Sequence, residues 1–227
     1  MRMQWYGQSA FLLEGERTVA IDPFGPMQGL AERGLVFDYP PVAIERADLL
    51  LVTHEHGDHN AVDAVGGDPV IIRSTAGTLS SPIGEVVAIA SEHDDAAGTK
   101  RGPNTIFRFV LDGLSFCHLG DFGQPALRPE QRQAIGDVDV LFMPVGGGPT
   151  IGGADAPALV RELAPKLVVP MHNRTEALSF LDPPDAFLEV LGAPVTRIDT
   201  DHSTVADLLG AGEEPSVTLF SVPRRMP

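Results

Sequence analysis

Twenty-four glycines and twenty prolines, spread through all 227 residues, cut this chain into short apolar runs. That punctuation favours a strand-rich protein with short connections. Met3 to Tyr6, Ala10 to Leu13 and Thr18 to Ile21 read as the first strands, with a turn at Glu14-Gly15-Glu16. Asp22-Pro23-Phe24-Gly25-Pro26 signals a loop, and residues 27–46 are irregular. Ala47 to Thr53 is a continuous apolar run, which predicts a strand buried on both faces. A short helix from Ala61 to Val65 and strands at Pro69 to Arg73 and Glu85 to Ala90 follow. Thr105 to Leu111 and Leu114 to Leu119, joined by Asp112-Gly113, predict a hairpin.

The second half alternates. Helices are predicted at Pro129 to Ile135, at Ala154 to Leu163 with Asp155 as its cap, and at Pro184 to Leu191, ended by Gly192. Strands are predicted at Val138 to Pro144, Leu167 to Met171, Val195 to Ile198 and Val217 to Ser221. Two sheets packed face to face with helices outside would bury strands of this kind. No low-complexity linker or fixed-period repeat divides the chain, so residues 1–227 are expected to form one domain.

Charge and cysteine usage narrow the function. Sixteen Lys and Arg against 31 Asp and Glu leave a net charge of −15. Such a surface repels phosphate backbones and disfavours a nucleic-acid groove, while leaving room for a small anion held by one local arginine. The single cysteine, Cys117, excludes an internal disulfide and an all-cysteine zinc site, and reads as a small buried residue. No apolar stretch approaches the roughly 18 residues that span a bilayer, and the first residues carry no long apolar segment. A cytoplasmic protein without membrane contact is expected; homo-oligomerisation is left open.

Chemistry concentrates in Thr53-His54-Glu55-His56-Gly57-Asp58-His59, directly after the buried strand. His54 and His56 are two residues apart, so in an extended segment both imidazoles project to one side. Gly57 allows a sharp bend that brings Asp58 and His59 to a second point close by. Neutral imidazoles with a carboxylate suit zinc, iron or manganese.

This H-x-H-x-D-H pattern resembles the signature of the metallo-β-lactamase superfamily of metal-dependent hydrolases. Further segments are similar to a branch related to L-ascorbate 6-phosphate lactonase. They are Trp5-Tyr6-Gly7-Gln8-Ser9-Ala10, Ile21-Asp22-Pro23-Phe24, Arg101-Gly102-Pro103-Asn104-Thr105-Ile106-Phe107, Cys117-His118-Leu119-Gly120-Asp121 and Val169-Pro170-Met171-His172. The resemblance implies a four-layer αββα sandwich of two mixed sheets. It also implies two divalent ions per chain, zinc foremost, with manganese or iron as alternatives. By the family pattern His54, His56 and His93 would hold one ion, Asp58, His59 and His172 the other, and Asp121 both. His118 is the rival for the place of His93, but residues three apart in an extended strand face opposite sides, which sets it against convergence with Asp121. Asp22, at a strand end where the family also has an aspartate, would orient one of the histidines.

Two ions sharing a water would generate a hydroxide that attacks a carbonyl carbon or phosphorus, with Asp58 as ligand and proton relay. Arg174 and the backbone at Gly147 and Gly148 are candidates for holding a small anionic ester, lactone or phosphodiester. Gln8 stands where many relatives have histidine, which argues against a catalytic role there. A non-catalytic metal-binding or regulatory protein is the competing reading, and a redox role lacks an appended flavin domain. His202, in Asp201-His202-Ser203, reads as a surface loop residue.

Overall fold

The computed structural model describes residues 1–209 and 215–224. The N-terminal half contributes β1 (Arg2–Gly7), β2 (Ala10–Glu14), β3 (Thr18–Ile21), β4 (Leu49–Val52), β5 (Val70–Arg73), β6 (Gly77–Ser81), β7 (Gly84–Glu92), β8 (Pro103–Leu111) and β9 (Leu114–His118). The C-terminal half interleaves α1 (Pro129–Ile135), β10 (Val140–Pro144), α2 (Ala156–Leu163), β11 (Leu167–Met171), α3 (Asp185–Leu191), β12 (Val195–Arg197), β13 (His202–Thr204), α4 (Val205–Leu208) and β14 (Ser216–Leu219). Among the described residues the strands form a six-stranded sheet, β13-β1-β2-β3-β4-β5, and an eight-stranded sheet, β12-β14-β11-β10-β9-β8-β7-β6. Both are mixed. β3, β4 and β5 run parallel beside an antiparallel meander. In the larger sheet β9, β10, β11, β14 and β12 are parallel while β6 to β9 alternate.

Apolar side chains fix how the sheets meet. Phe11 on β2 lies 4.4 Å, centroid to centroid, from Phe142 on β10. Phe109, Phe116 and Phe142 continue the contact across neighbouring strands. Residues of both sheets, among them Leu13, Ile21, Leu51, Phe107 and Val169, belong to this one core. A second core lies on the other face of the larger sheet. There Ile89, Ile106, Leu141 and Val168 meet Ile135 of α1, Leu159 and Leu163 of α2 and Phe187 of α3. The apolar residues of α2 recur at helical spacing, Ala156, Leu159, Val160 and Leu163, and all are buried. Full burial of one such side chain contributes about 1.5–3 kcal/mol. The expected sandwich of two mixed sheets is therefore present, with α1 to α3 as the helical layer on the eight-stranded sheet.

Several local expectations shift. The predicted helix at Ala61 to Val65 is only a 3-10 turn, Val62–Ala64. Asp155 stands at the N-terminus of α2 but makes no side-chain cap. β6 and β13 were not predicted. β6 is a short polar edge strand, and β13 is three residues, His202–Thr204, paired with Arg2 to Gln4. His202 is thus on a strand, although its ring bonds only to the adjacent Asp201. All four residues of β4 are buried, as a strand covered on both faces requires. No helix among the described residues is long and apolar enough to cross a membrane.

Candidate metal centre

Strand direction assembles the site. β3 and β4 run parallel, and the alternation of β7, β8 and β9 makes β7 run the same way as β9 and β11. The residues that follow their C-terminal ends are Asp22 after β3, His54 to His59 after β4, His93 after β7, Asp121 after β9 and His172 after β11. These ends converge on one edge of the sandwich. His54, His56 and His93 form one group and Asp58, His59, Asp121 and His172 another, with ligand-capable atoms inside each group within 4.8 Å of one another. Asp121 reaches both. Its Oδ2 lies 3.0 Å from His93 Nε2 and 3.1 Å from His172 Nε2, and its Oδ1 lies 3.3 Å from His59 Nε2.

The turn that presents Asp121 requires Gly120. Its φ is +57°, and a Cβ there would come within 2.4 Å of Asn104 Oδ1 and 2.8 Å of Thr53 Cβ. Asn104 Oδ1 accepts the Asp121 N–H at 3.0 Å, and its amide donates to Leu119 O at 2.9 Å. Gly57, by contrast, does not bend the histidine loop through a left-handed conformation. Its φ is not positive, and a Cβ would meet only Met27 Sδ at 3.7 Å.

Hydrogen bonds fix which nitrogen of His54, His59 and His93 faces the cluster. Asp22 accepts the Thr53 backbone N–H at 2.8 Å on Oδ1 and the Thr53 hydroxyl at 2.7 Å on Oδ2. That hydroxyl has a single proton, so the 3.0 Å contact between Thr53 Oγ1 and His54 Nδ1 requires Nδ1–H to be the donor. The lone pair of neutral His54 is then on Nε2, a buried atom without a hydrogen-bond partner among the described residues. Asp22 Oδ2 also takes Nδ1–H of His59 at 2.8 Å, which turns His59 Nε2 toward Asp58 and Asp121. His93 donates Nδ1–H to Pro149 O at 3.1 Å and presents Nε2 to Asp121. This is how metal-ligating histidines are normally oriented, through the nitrogen that does not ligate. His54 Nε2, His59 Nε2 and Asp121 Oδ1 are all buried and have no hydrogen bond to any described residue. Five imidazoles and two carboxylates with such atoms aimed inward fit divalent ions of the zinc, manganese or iron type.

Electrostatics follow the same division. Burial, reinforced by the charge of His59, pushes His54 down to about 2, so it is neutral at any physiological pH. Burial also lowers His56, with His93 adding to the effect. His59 goes the other way: burial opposes its charge, but Asp121, Asp58 and Asp22 outweigh it and hold its pKa well above the ordinary value. For His93 too, burial opposes the charge, and the hydrogen bond to Asp121 wins and raises its pKa. Asp121 resists burial through His172 and His59 and titrates well below the usual carboxylate range.

Backbone strain marks the same place. Gln8, Asp22 and His172 all adopt positive φ, at 52°, 44° and 48°. The strained turn at Gln8 aims a buried side chain that sequence reasoning had set aside. Gln8 Nε2 donates to Asp58 Oδ2 at 2.9 Å, and its Oε1 is buried without a partner among the described residues. Asn104 was also missed; both lie in segments that carried the family resemblance, but no spacing rule separates them from their neighbours.

His118 is not part of the cluster. Its Nδ1 accepts the Gly120 N–H at 3.1 Å, so Nε2–H donates to Ser9 O at 3.1 Å, and both nitrogens are used. Burial lowers its pKa. Asp22 touches His59 of the cluster, while the anion-binding candidates divide. Arg174 donates Nε to Leu181 O at 2.6 Å and lines neither of the two cavities beside the histidines. Gly146 passes under His172, where a Cβ would meet His172 O at 2.1 Å, and a Cβ at Gly147 would meet Asp182 Oδ2 at 3.0 Å. The glycine run thus allows close backbone approach; Gly148 alone of Gly147 and Gly148 borders a cavity.

Comparison with known proteins agrees with this geometry. Residues 2–172 match the family model of the beta-lactamase superfamily domain. A UPF0173 metal-dependent hydrolase of Thermococcus kodakarensis is 32% identical over 201 residues, 77% of this chain and 85% of that protein. Another, from Desulforamulus reducens, is 30% identical over 230 residues, 88% of this chain and 96% of that one. Among solved structures, a candidate Zn-dependent hydrolase of the metallo-β-lactamase superfamily from Thermotoga maritima superposes with a TM-score of 0.75. It has 29% identity and covers 97% of this chain and 99% of its own. Fold, histidine cluster and relatives thus agree, and the chain belongs to the UPF0173 metal-dependent hydrolases of the metallo-β-lactamase superfamily.

Proposed function

We propose that this protein is a dinuclear hydrolase of small anionic esters, lactones or phosphodiesters. The observation that carries the reading is Asp121, whose two carboxylate oxygens face histidines of both groups. His54, His56 and His93 would hold one ion and Asp58, His59 and His172 the second, with Asp121 shared and zinc the first choice of metal. When bound, such a pair of ions lowers the pKa of water toward neutrality and polarises the electrophilic oxygen of a substrate.

The chain's own residues supply orientation. Asp22, through Thr53 and directly, sets the tautomers of His54 and His59, one histidine from each group. Gln8 holds Asp58 by Oδ2, which fixes the carboxylate proposed to ligate and to relay a proton from the attacking water. The net charge of −15 repels polyanions at long range, and this supports a small substrate over a polymer. Similarity to the lactonase-related branch supports a lactone among the candidates.

Two divalent ions per chain are expected on elemental analysis after reconstitution with zinc, manganese or iron in separate samples. The same samples are to be assayed on a lactone, a small phosphodiester, a β-lactam and a structured RNA. Full activity at one ion or fewer per chain removes the dinuclear mechanism. Faster cleavage of the RNA than of either small ester overturns the substrate class and leaves the ligand assignment standing. Two bound ions with no turnover of any substrate favours a non-catalytic metal-binding role.

A further inference from the structure

Two cavities flank the histidines. One, of about 230 Å³, lies over His54 and His56 and is bounded by Glu55, Ser74, Arg101 and Thr105. The other, of about 560 Å³, is bounded by Lys100, Arg101, Gly148, Pro149 and Thr150, next to the carbonyl that orients His93. Arg101 borders both.

Most charges around Arg101 are already paired; the Asp155 carboxylate of the larger cavity has no partner among the described residues. Glu55, the carboxylate of the smaller cavity, accepts hydrogen bonds from Arg73 Nε at 3.1 Å, from Arg73 Nη2 and from Ser74 Oγ. In the larger cavity Lys100 Nζ pairs with Asp95 at 2.9 Å. The guanidinium of Arg101 has neither a hydrogen bond nor an ion pair with any described residue.

The backbone from which this exposed side chain extends is nevertheless fixed. Asp94, directly after His93 and buried, accepts four backbone N–H groups: Ala96 at 2.8 Å, Gly98 at 2.9 Å, Lys100 at 2.9 Å and Arg101 itself at 2.7 Å. A carboxylate removed from water requires such bonds, and here they tie the Arg101 backbone, where the side chain starts, to the residue that follows His93. From this anchored point the exposed Arg101 side chain borders both cavities.

We propose that Arg101 binds an oxyanion of the substrate, a phosphate or carboxylate group, and so orients the bond to be cleaved toward the histidine cluster. The inference rests on the hydrolase reading above and names the group that selects its substrate. A planar guanidinium matches two oxygens of either anion, and in an otherwise acidic protein an uncommitted arginine is a local exception to the long-range repulsion. Arg174, whose Nε is bound to Leu181 O, is the natural comparison.

The test measures binding of phenylphosphonate and of benzoate to the metal-loaded protein by calorimetry, in the wild type, Arg101→Gln, Arg101→Lys and Arg174→Gln. Arg101→Gln is expected to weaken at least one anion by about ten- to a hundredfold, the range of a charge-assisted hydrogen bond. Arg101→Lys should recover part of the loss, and Arg174→Gln should change affinity less than twofold. Loss confined to phenylphosphonate assigns a phosphate subsite and loss confined to benzoate a carboxylate one. A loss under about fivefold for both anions, an equal loss in Arg174→Gln, or no binding of either anion by the wild type overturns the proposal. Calorimetry reads binding without turnover. A protein that hydrolyses nothing, yet loses anion affinity in Arg101→Gln, would remove the hydrolase reading and keep this subsite. Turnover of a neutral lactone with unchanged anion affinity would do the reverse.

Discussion

Asp121→Ala is expected to lose metal affinity and hydrolysis together, each by more than about 100-fold. Residues that only orient a metal ligand typically cost 10–100-fold when changed, and on the proposed two-ion reading Asp121 would contact both ions directly. The substitution would also leave His59, His93 and His172 without the carboxylate they face in the metal-free protein. His118→Ala, three residues earlier, should behave in the opposite way. It removes a ring bonded on both nitrogens and leaves Ser9 O and the Gly120 N–H without those partners, at a cost of about 2–4 kcal/mol of stability. Its metal content should match the wild type. The pair is read by elemental analysis and chemical denaturation on the same preparations. Comparable metal loss in both variants would place His118 among the ligands.

Chelation should lower the melting temperature substantially. Ions that bind only the folded chain stabilise it by mass action, about 4 kcal/mol for one site at a thousandfold excess over Kd. For a domain of this size that corresponds to a drop of about 8–16 °C on removal. The gap between loaded and metal-free protein should close as pH falls, and it should begin to close above 6.5, the reference value for imidazole. The reason is His59, whose metal-free pKa is raised by Asp121, Asp58 and Asp22 against burial. A raised histidine stabilises the metal-free fold fully below its unfolded pKa and loses that contribution as pH rises through the folded value. Acidification therefore strengthens the metal-free form in this window while protons displace metal from the loaded one. His54, neutral down to about 2, acts in the contrary sense below 6.5, where the unfolded chain takes up a proton that the folded one does not. Melting curves between pH 5 and 8 check this, and identical curves with and without metal at pH 8 would remove the stabilising role.

The histidine cluster and most strands were readable because their determinants are local. The Asp112-Gly113 turn is one case: both residues take positive φ, at 49° and 78°, as a two-residue hairpin turn demands. α1 and β11 match their predicted bounds because Pro129 opens the helix and a continuous apolar run forms the strand. β13 was hidden for the opposite reason. Its His-Ser-Thr has no apolar period, and it becomes a strand only by pairing with β1 from the far end of the chain. His93, Asp121 and His172 came from family resemblance, since no spacing connects residues 93, 121 and 172 until strand order brings their strand ends together. Gln8 was set aside, and Arg101 was given no role of its own. The first depends on a left-handed turn at a residue that does not advertise one, and the second on which neighbouring charges are already paired.

Asp22 and Thr53 restrict how this site can be re-engineered. If the site holds two ions as proposed, an attempt to turn it into a one-ion site by altering Asp58, His59 and His172 would leave His59's former orienting carboxylate in place, still fixing His54 through the threonine hydroxyl. An attempt that begins at Asp22 would release one histidine of each group at once. The two histidine groups are joined at this pair of buried residues, so they would be lost or redesigned together.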